Sequence, residues 1–182
     1  MLVYCGGGRR KNRNADTETQ GLFVEREHFR MSNIVVETIA EAYRLVHQQF
    51  RDHISAAEDA ALHWIPAPET NPISVLVVHT LGSEAEVWRL AASITGPRNR
   101  DAEFVPQTVT KQDLLARLDA ADALLSTRAS QVGAADLEII RERPDRSPHT
   151  ALHWLVTNYG HAREHLAHVE LTLQLYRGRA GS

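Results

Sequence analysis

The apolar positions of the chain predict four long helices, of which the first covers residues 32–62. Apolar side chains recur there every three or four residues, from Val35 to Phe50, as expected for a helix with one buried face. Ser32 is the expected N-terminal cap. The helix should end before residues 64–68, because the prolines in that segment remove backbone donors and favour extended neighbours.

Two further helices are bounded by cap and stop signals. Asn71, with Pro72 at the first helical position, is typical of a helix start and predicts a second helix over residues 71–95, ended by the Gly-Pro pair that follows. Thr110 and Asp113 have the spacing of a capping box and predict a third helix that ends near Gly133.

The fourth helix has the most regular pattern, and it should begin at Ser147-Pro148. Its apolar residues alternate spacings of three and four, as in the seam of a bundle: Leu152, Leu155, Tyr159, Ala162, Leu166, Val169, Leu173 and Tyr176. Four helices without a useful strand pattern predict an all-α four-helix bundle. The linker over residues 96–109 could span about 45 Å when extended, so a crossover along a whole helix is possible.

The first thirty residues differ from the rest of the chain. They contain a glycine triplet and a basic cluster over residues 9–13, with no sustained apolar period, which predicts a disordered tail over residues 1–30 before a single domain over residues 31–178. This segment has six Lys or Arg and four Asp or Glu, so the remainder sums to -5 in a chain of net charge -3. We therefore expect no nucleic-acid partner for the folded part. Met31 is an alternative natural start, which would make residues 1–30 an artefact.

Cysteine usage and hydropathy bear on the compartment. Cys5 is the only cysteine, which excludes an internal disulfide and a thiolate metal cage and fits a reducing compartment. No apolar run reaches the roughly 20 residues needed to span a bilayer, and the N-terminus lacks the apolar core of a secretory signal. We expect a soluble cytoplasmic protein without a membrane partner.

Three of the ten histidines have positions that suit a metal site. His79 follows the apolar run 75–78, where a buried imidazole needs either a hydrogen bond within the core or a metal ion. His161 and His165 are four residues apart on the fourth helix, so their rings share one face about 6 Å apart. Such a pair can close on one ion, or it can simply face solvent. The spacing alone leaves these alternatives open.

The other histidines have weaker patterns. His149 and His153 are a rival pair with the same spacing, but they lie in the first turn of the predicted helix, where cap and surface roles are commoner. His47, His53 and His63 have no spacing that indicates chemistry.

Two segments around the three histidines contain motifs in a characteristic order. The first is the proline-rich turn Leu62-His63-Trp64-Ile65-Pro66-Ala67-Pro68, followed by a helix that reads Asn71-Pro72-Ile73-Ser74-Val75-Leu76-Val77-Val78-His79-Thr80. The second is His161-Ala162-Arg163-Glu164-His165. From Ile34 to Tyr176 the chain resembles the DinB/YfiT-like superfamily of metal-binding four-helix bundles. That family usually continues the second motif with Gly-Gln, where this chain has Ala167-His168.

The resemblance implies an up-down-down-up bundle that forms a homodimer. It also implies a divalent metal, zinc or nickel, held by His79, His161 and His165 with an exchangeable water in an open position. Such a centre would serve a metal-dependent transferase or hydrolase that acts on a small molecule with a low-molecular-weight thiol, the ion stabilising a thiolate or hydroxide nucleophile.

Neighbouring side chains could tune the three ligands. Glu164 and Glu86 are the candidate carboxylates, and His168 is a candidate donor or fourth ligand. No residue is identified as the general base, and the substrate is open. The alternative function is a non-catalytic, metal-binding or stress-associated dimeric bundle. A third alternative is that the histidines are incidental.

Overall fold

The computed structural model describes residues 13–105, 109–143 and 146–179, with side chains from residue 34 onward. Within these ranges the chain forms four long helices, three short helices and one two-stranded sheet. They are α1 (Arg13–Ala56), α2 (Asp59–His63), α3 (Ile73–Ala91), α4 (Arg100–Glu103), α5 (Lys111–Ala129), α6 (Ala134–Glu138), β1 (Ile140–Arg141), β2 (His149–Thr150) and α7 (Ala151–Gly178). The predicted all-α fold class is confirmed.

Helix α1 is longer at its start than predicted. It begins at Arg13, so the expected helix start with a cap at Ser32 is wrong. No proline interrupts this stretch, and its one glycine, Gly21, costs a helix only about 1 kcal/mol.

The predicted tail over residues 1–30 falls in the part of the chain for which the structure describes no side chains. Residues 1–12 are outside the described residues, and for residues 13–33 only the helical backbone of α1 is described. The disordered tail over residues 1–30, the domain boundary and the alternative start at Met31 therefore stay predictions.

Helix α1 ends at Ala56, six residues before the predicted end, and the short helix α2 covers the next turn. Trp64 has an extended backbone and closes α2, as expected for the start of a proline-rich segment. The segment turns the chain so that α3 can return along α1.

The boundaries of α3 differ from the predicted ones. Pro72 is the N-cap, so the expected cap at Asn71 is wrong. At the other end Ser93 has a left-handed backbone with φ 59°, and the N–H of Ile94 donates to the carbonyl of Arg89 at 2.8 Å. This is a Schellman turn, and it ends α3 at Ala91, before the Gly-Pro pair is reached.

The capping box of α5 is confirmed. The N–H of Asp113 donates to Thr110 Oγ1 at 3.1 Å, and the N–H of Thr110 donates to Asp113 Oδ2 at 2.9 Å. The helix ends at Ala129, four residues earlier than predicted.

Helix α7 begins later than predicted, because the residues before it form a strand. His149 and Thr150 pair with β1, and the Thr150 side chain then accepts from the N–H of His153 at 3.2 Å as the N-cap. The expected start at Ser147-Pro148 is therefore wrong. Of the predicted seam, Leu152 is exposed, while the other members are buried or half-buried.

Contacts of α1 give the direction of α5 and α7. Arg51 pairs with Asp119, and Lys111 Nζ donates to the carbonyl of Ala57, just beyond the end of α1. Residues later in α1 therefore contact residues earlier in α5. The contacts between α1 and α7 follow the same residue order in both helices: Tyr43 contacts Asn158, and the later His53 contacts the later Glu170. Hence α5 is antiparallel to α1, and α7 is parallel to it.

Helix α3 is also antiparallel to α1, since Tyr43 meets Trp88 and His47 meets Glu84. Helices α3 and α5 therefore run the same way, which requires the linker between them to return along the bundle. Each of α1 and α3 packs against both α5 and α7. The up-down-down-up order implied by the resemblance is thus the observed one.

The core lies along the centre of these four helices. Its largest fully buried side chains come from all four and include Tyr43, Phe50, Ile54, Trp88, Leu114, Leu118, Leu125, Leu155 and Leu166. Burying each leucine or phenylalanine contributes roughly 1.5–3 kcal/mol. Among the described residues, every helix is too short or too polar to cross a bilayer.

Candidate metal centre

The structure brings His79, His161 and His165 together between α3 and α7. His79 lies midway along α3 and is buried, and the other two lie one turn apart on the facing side of α7 and are half-buried. One ligand atom from each ring lies within 4.8 Å of the other two. Among the described residues, this is the one group of three or more potential ligands that meets this spacing.

The distances between the rings fit coordination of one ion. His79 Nε2 lies 3.2 Å from His161 Nε2, which in turn lies 3.0 Å from His165 Nε2. Tetrahedral zinc with ligands at about 2.1 Å separates neighbouring nitrogens by about 3.4 Å. Small movements of the rings would therefore suffice to admit an ion.

Hydrogen bonds alone do not account for this convergence. A carboxylate accepts from His79 Nδ1, so His79 Nε2 carries a lone pair when the ring is neutral. His161 Nε2 faces two neighbouring ring nitrogens and has at most one proton to donate. At least one contact is therefore left without a proton in the neutral centre, and a shared cation would satisfy all three nitrogens.

The partner of His79 is Glu103, whose Oε2 accepts from His79 Nδ1 at 3.0 Å. Glu103 lies on α4, a single turn in the crossover linker, and α4 is capped by Asn99, whose side chain accepts from the N–H of Ala102 at 3.2 Å. A carboxylate on the distal ring nitrogen fixes the orientation and tautomer of a metal-binding histidine. Glu103 was missed by the sequence analysis, because no periodic signal links this linker to α3.

Arg98 holds Glu103 in place. Its Nε and Nη2 donate to the two oxygens of Glu103 at 2.8 and 2.7 Å, and its Nη1 donates to Glu86 at 2.9 Å. Glu86 also pairs with Arg143. Glu86 thus lies near the centre, but it reaches His79 only through Arg98 and Glu103. Phe104 packs against the His79 ring, with ring centroids 4.4 Å apart.

The other candidate neighbours lie toward solvent. His168 Nδ1 is 3.4 Å from His165 Nδ1 on the exposed side of α7. Glu164 is exposed, and it has no hydrogen bond to the three histidines in the part of the chain that the structure describes. His161 Nδ1 is buried without a partner among the described residues.

The pKa values of the three rings are all lowered. Burial is the largest cause for each of them. At His161 the charges of His79 and Arg98 add to the effect of burial, and together they lower the pKa to about 4. At His165 burial and the charge of His161 lower the pKa to about 3. Glu103 partly offsets the effect at His79. At neutral pH the rings are therefore uncharged, which is the form that binds metals.

The rival pair, with His149 in β2 and His153 in the first turn of α7, has a different geometry. The rings of His149 and His153 stack, with centroids 3.9 Å apart and an interplanar angle of 20°. Both also contact the edge of Trp154. They belong to an aromatic cluster next to the small sheet.

A second buried polar cluster links α1, α3 and α5. His47 is fully buried, and its Nε2 and Nδ1 lie 2.7 Å from Glu84 and 2.7 Å from Asp122 respectively. Asp122 also pairs with Arg51. No sequence pattern around His47 indicated this cluster, because its partners come from distant helices.

Burial is the largest single cause of a pKa shift at His47, Glu84 and Asp122, but it sets the direction of the shift only at Glu84. It lowers the pKa of His47, but hydrogen bonds and charges from Glu84 and Asp122 outweigh it, so the pKa is raised overall. For Glu84 burial raises the pKa, and His47 offsets this only in part. The side-chain hydrogen bonds of His47 and Arg51 outweigh burial at Asp122 and lower its pKa.

Comparison with solved structures places the fold among known proteins. A conserved protein from Enterococcus faecalis superposes with a TM-score of 0.62 at 19% identity, over 78% of this chain and 96% of that one. A DinB-like protein from Bacillus cereus gives a TM-score of 0.62 at 14% identity, over 80% of this chain and 92% of that one. At these identities the likeness shows the fold alone.

Comparison of the sequence with family models is more specific. No curated protein gives a significant match to the chain. The model of the DinB superfamily matches residues 42–169, more than half of the chain, and the match includes all three histidines of the candidate centre. The chain therefore belongs to the DinB superfamily.

Proposed function

We propose that this protein is a metal-dependent enzyme that binds one divalent ion, zinc or nickel, on His79, His161 and His165. In this proposal it transfers a low-molecular-weight thiol to an electrophilic small molecule or hydrolyses such a molecule. The observation that carries the proposal is the approach of the three Nε2 atoms, at 3.2 and 3.0 Å, from two different helices.

The donor set suits a catalytic ion better than a structural one. Three neutral imidazoles leave a fourth coordination position for an exchangeable ligand, whereas structural zinc sites use four protein ligands. When bound, the ion would supply Lewis acidity, which lowers the pKa of a thiol or water and polarises an electrophile.

The residues of the chain would hold and orient this centre. Glu103 accepts from His79 Nδ1 and keeps Nε2 directed at the ion, and Arg98 ties Glu103 to Glu86. Phe104 lies against the His79 ring and limits the access of water from that side. The open side is the one toward the half-buried His161 and His165.

The surrounding charges favour an anionic nucleophile. After burial and the charge of His79, the guanidinium groups of Arg98, Arg143 and Arg146 also lower the pKa of His161, so they act on the centre from nearby. Two carboxylates, Glu86 and Glu103, partly neutralise these three cations. The excess of positive charge would stabilise a thiolate or hydroxide next to the histidines.

A homodimer is part of the proposal. It is supported by exposed apolar side chains at the start of α7 and in β1. Leu152 and Val156 lie one turn apart on α7, and Ile140 pairs with Thr150, the N-cap of that helix. Sedimentation velocity of the full chain and of Val156→Glu would test this. We expect a dimer that the substitution weakens, and a wild-type monomer at micromolar concentration would contradict the proposal.

Metal content is the first test of the centre. Untagged protein, purified without chelator, should contain about one zinc or nickel per chain by elemental analysis. His161→Ala should lose the metal, while His153→Ala, a change on the same helix outside the centre, should retain it. Wild-type protein that binds neither ion on titration would contradict the proposal.

Activity is the second test. Metal-loaded wild type should either consume glutathione or cysteine together with a haloarene or epoxide, or hydrolyse at least one member of a panel of esters. His161→Ala should do neither. His153→Ala should remain active. If the loaded wild type and His161→Ala are equally inert toward the whole panel, the non-catalytic alternative replaces the enzyme.

A further inference from the structure

A cavity of about 350 Å³ lies between α3 and α5, whereas the three histidines lie between α3 and α7. Small side chains leave the space open, among them Gly82 and Ala85 on α3 and Ala120 and Ala121 on α5. Leu81 and Leu124 add apolar wall. The volume lies at the small end of the range of about 300–1,000 Å³ that is typical of ligand sites.

Three charged residues, Glu84, Glu103 and Arg117, line the cavity beside these apolar side chains. Arg117 is exposed and Glu103 already pairs with Arg98 and His79, which leaves Glu84 as the fully buried charged group of the wall. Glu84 is only 1% exposed, and its Oε2 lies 2.7 Å from His47 Nε2. Its Oε1 is buried and has no hydrogen-bond partner among the described residues. A buried carboxylate oxygen without a donor is costly, so a donor is expected to reach it from the cavity side.

The charges connected to Glu84 favour a cationic donor. A chain of contacts runs from Glu84 through His47 to Asp122 and Arg51, and Arg51 also binds Asp119. Even with His47 protonated, two positive groups face three carboxylates. The connected group therefore keeps an excess of negative charge next to the cavity.

We propose that the α3–α5 cavity binds a small apolar amine, whose N–H group donates to Glu84 Oε1 while its apolar body packs against Leu81, Ala121 and Leu124. The site uses none of the three histidines, so it stands independently of the metal enzyme proposed above. Glu103 borders both the cavity and His79, so an occupant would lie next to the centre without coordinating its ion.

Benzylamine is a suitable probe, with benzyl alcohol as its uncharged analogue. Calorimetry on the full chain, freed of metal with a chelator, should show binding of benzylamine and at least roughly tenfold weaker binding of benzyl alcohol, because the amine adds a charge-assisted hydrogen bond. Glu84→Gln should remove most of this preference. Equal affinity of wild type for both compounds, or no binding of either, would overturn the proposal.

Variants that fill the cavity make the test independent of Glu84. Ala121→Leu places a larger side chain into the cavity and should abolish binding of benzylamine. Ala123→Leu, on the exposed face of the same helix, should bind like wild type. Circular dichroism should show both variants folded. Binding that survives Ala121→Leu would overturn the proposal.

His161→Ala separates this site from the metal centre. The variant should bind benzylamine with unchanged affinity, since the cavity does not include residue 161. Loss of binding in this variant would mean that the amine reaches the histidines or a residual ion, and it would overturn the proposal. Failure of the metal tests above would leave the expected result here unchanged.

Discussion

The Oε2 atom of Glu103 lies 3.0 Å from Nδ1 of His79, although the two residues belong to separate helices joined by the start of the crossover linker. The linker that returns the chain along the bundle therefore also supplies the carboxylate that orients a histidine of the candidate centre. This contact makes metal affinity sensitive to residues that never touch the ion.

Replacement of Glu103 by glutamine should weaken metal binding. Glutamine lacks the negative charge that polarises His79, and loss of such a carboxylate typically costs about 10–100-fold in metal affinity. Competition with a chromophoric zinc chelator would measure the change. Asp101→Asn, an exposed change on the same short helix, is the matched control and should bind zinc like wild type. Equal affinities of Glu103→Gln and wild type would rule out the orienting role.

A methyl group added at Gly82 should weaken metal binding at the centre by displacing Glu103. A Cβ at Gly82 would overlap Glu103 Oε1, so the carboxylate must move off its present position. We expect Gly82→Ala to stay folded and to bind zinc more weakly, as Glu103→Gln does.

The matched control for this change is Gly160→Ala on α7. A Cβ at Gly160 meets no other atom within 4 Å, so this variant should keep the zinc affinity of wild type and gain up to about 1 kcal/mol of stability from helix propensity. Unchanged zinc affinity in Gly82→Ala would show that the Glu103 contact tolerates displacement.

Acid should destabilise the metal-free protein. In the folded chain the pKa values of His161 and His165 are about 4 and about 3, against an ordinary value of 6.5. Between these limits the unfolded chain binds more protons than the folded one, so the free energy of unfolding should fall as the pH drops below about 6.5, until the folded rings are themselves protonated.

Urea unfolding of chelator-treated protein at pH 7.5, 6 and 5 would measure this dependence. His165→Gln removes one of the two titrating rings and should make the dependence shallower. Ala167→Gln, an exposed change on the same helix without a titrating group, should keep the wild-type dependence. A free energy of unfolding that does not fall between pH 7.5 and 5 would contradict the prediction.

Removal of the buried His47 ring should destabilise the fold strongly. His47→Leu leaves Glu84 and Asp122 without the ring nitrogens that lie 2.7 Å from each, and breaking a buried ionic contact costs about 3–5 kcal/mol. Chemical denaturation would measure the loss. Adding Glu84→Leu should recover part of it, because the buried carboxyl is then removed as well.

His53→Leu is the matched control on α1. His53 pairs with Glu170 at 3.2 Å, but its side chain is 32% exposed, so we expect a loss below about 1 kcal/mol. Similar losses for the changes at His47 and His53 would mean that the buried cluster contributes no more than a surface pair.

Much of the fold could be predicted from local signals. The helical period of α7, the capping box at Thr110 and the break at the proline-rich segment are local, and the structure reproduces them. The helix ends were less well predicted. The left-handed turn at Ser93 and the pairing of β2 with β1 depend on backbone contacts that no residue pattern predicted.

The same division applies to the candidate centre. The spacing of His161 and His165 already put both rings on one helix face, since a helical repeat fixes neighbours four residues apart. The position of His79 showed only that a buried ring needed a partner. The family motifs supplied the expectation that the three belong together.

Only the tertiary structure decided which groups surround them. Glu103, Arg98 and Phe104 reach His79 from a linker without periodicity, and His47 meets partners that are 37 and 75 positions away. By itself the sequence determined the helices and the faces they bury, because hydrogen bonding and periodicity act over a few residues. Contacts between helices depend on how those faces pack, and packing brings together residues whose separation along the chain carries no signal.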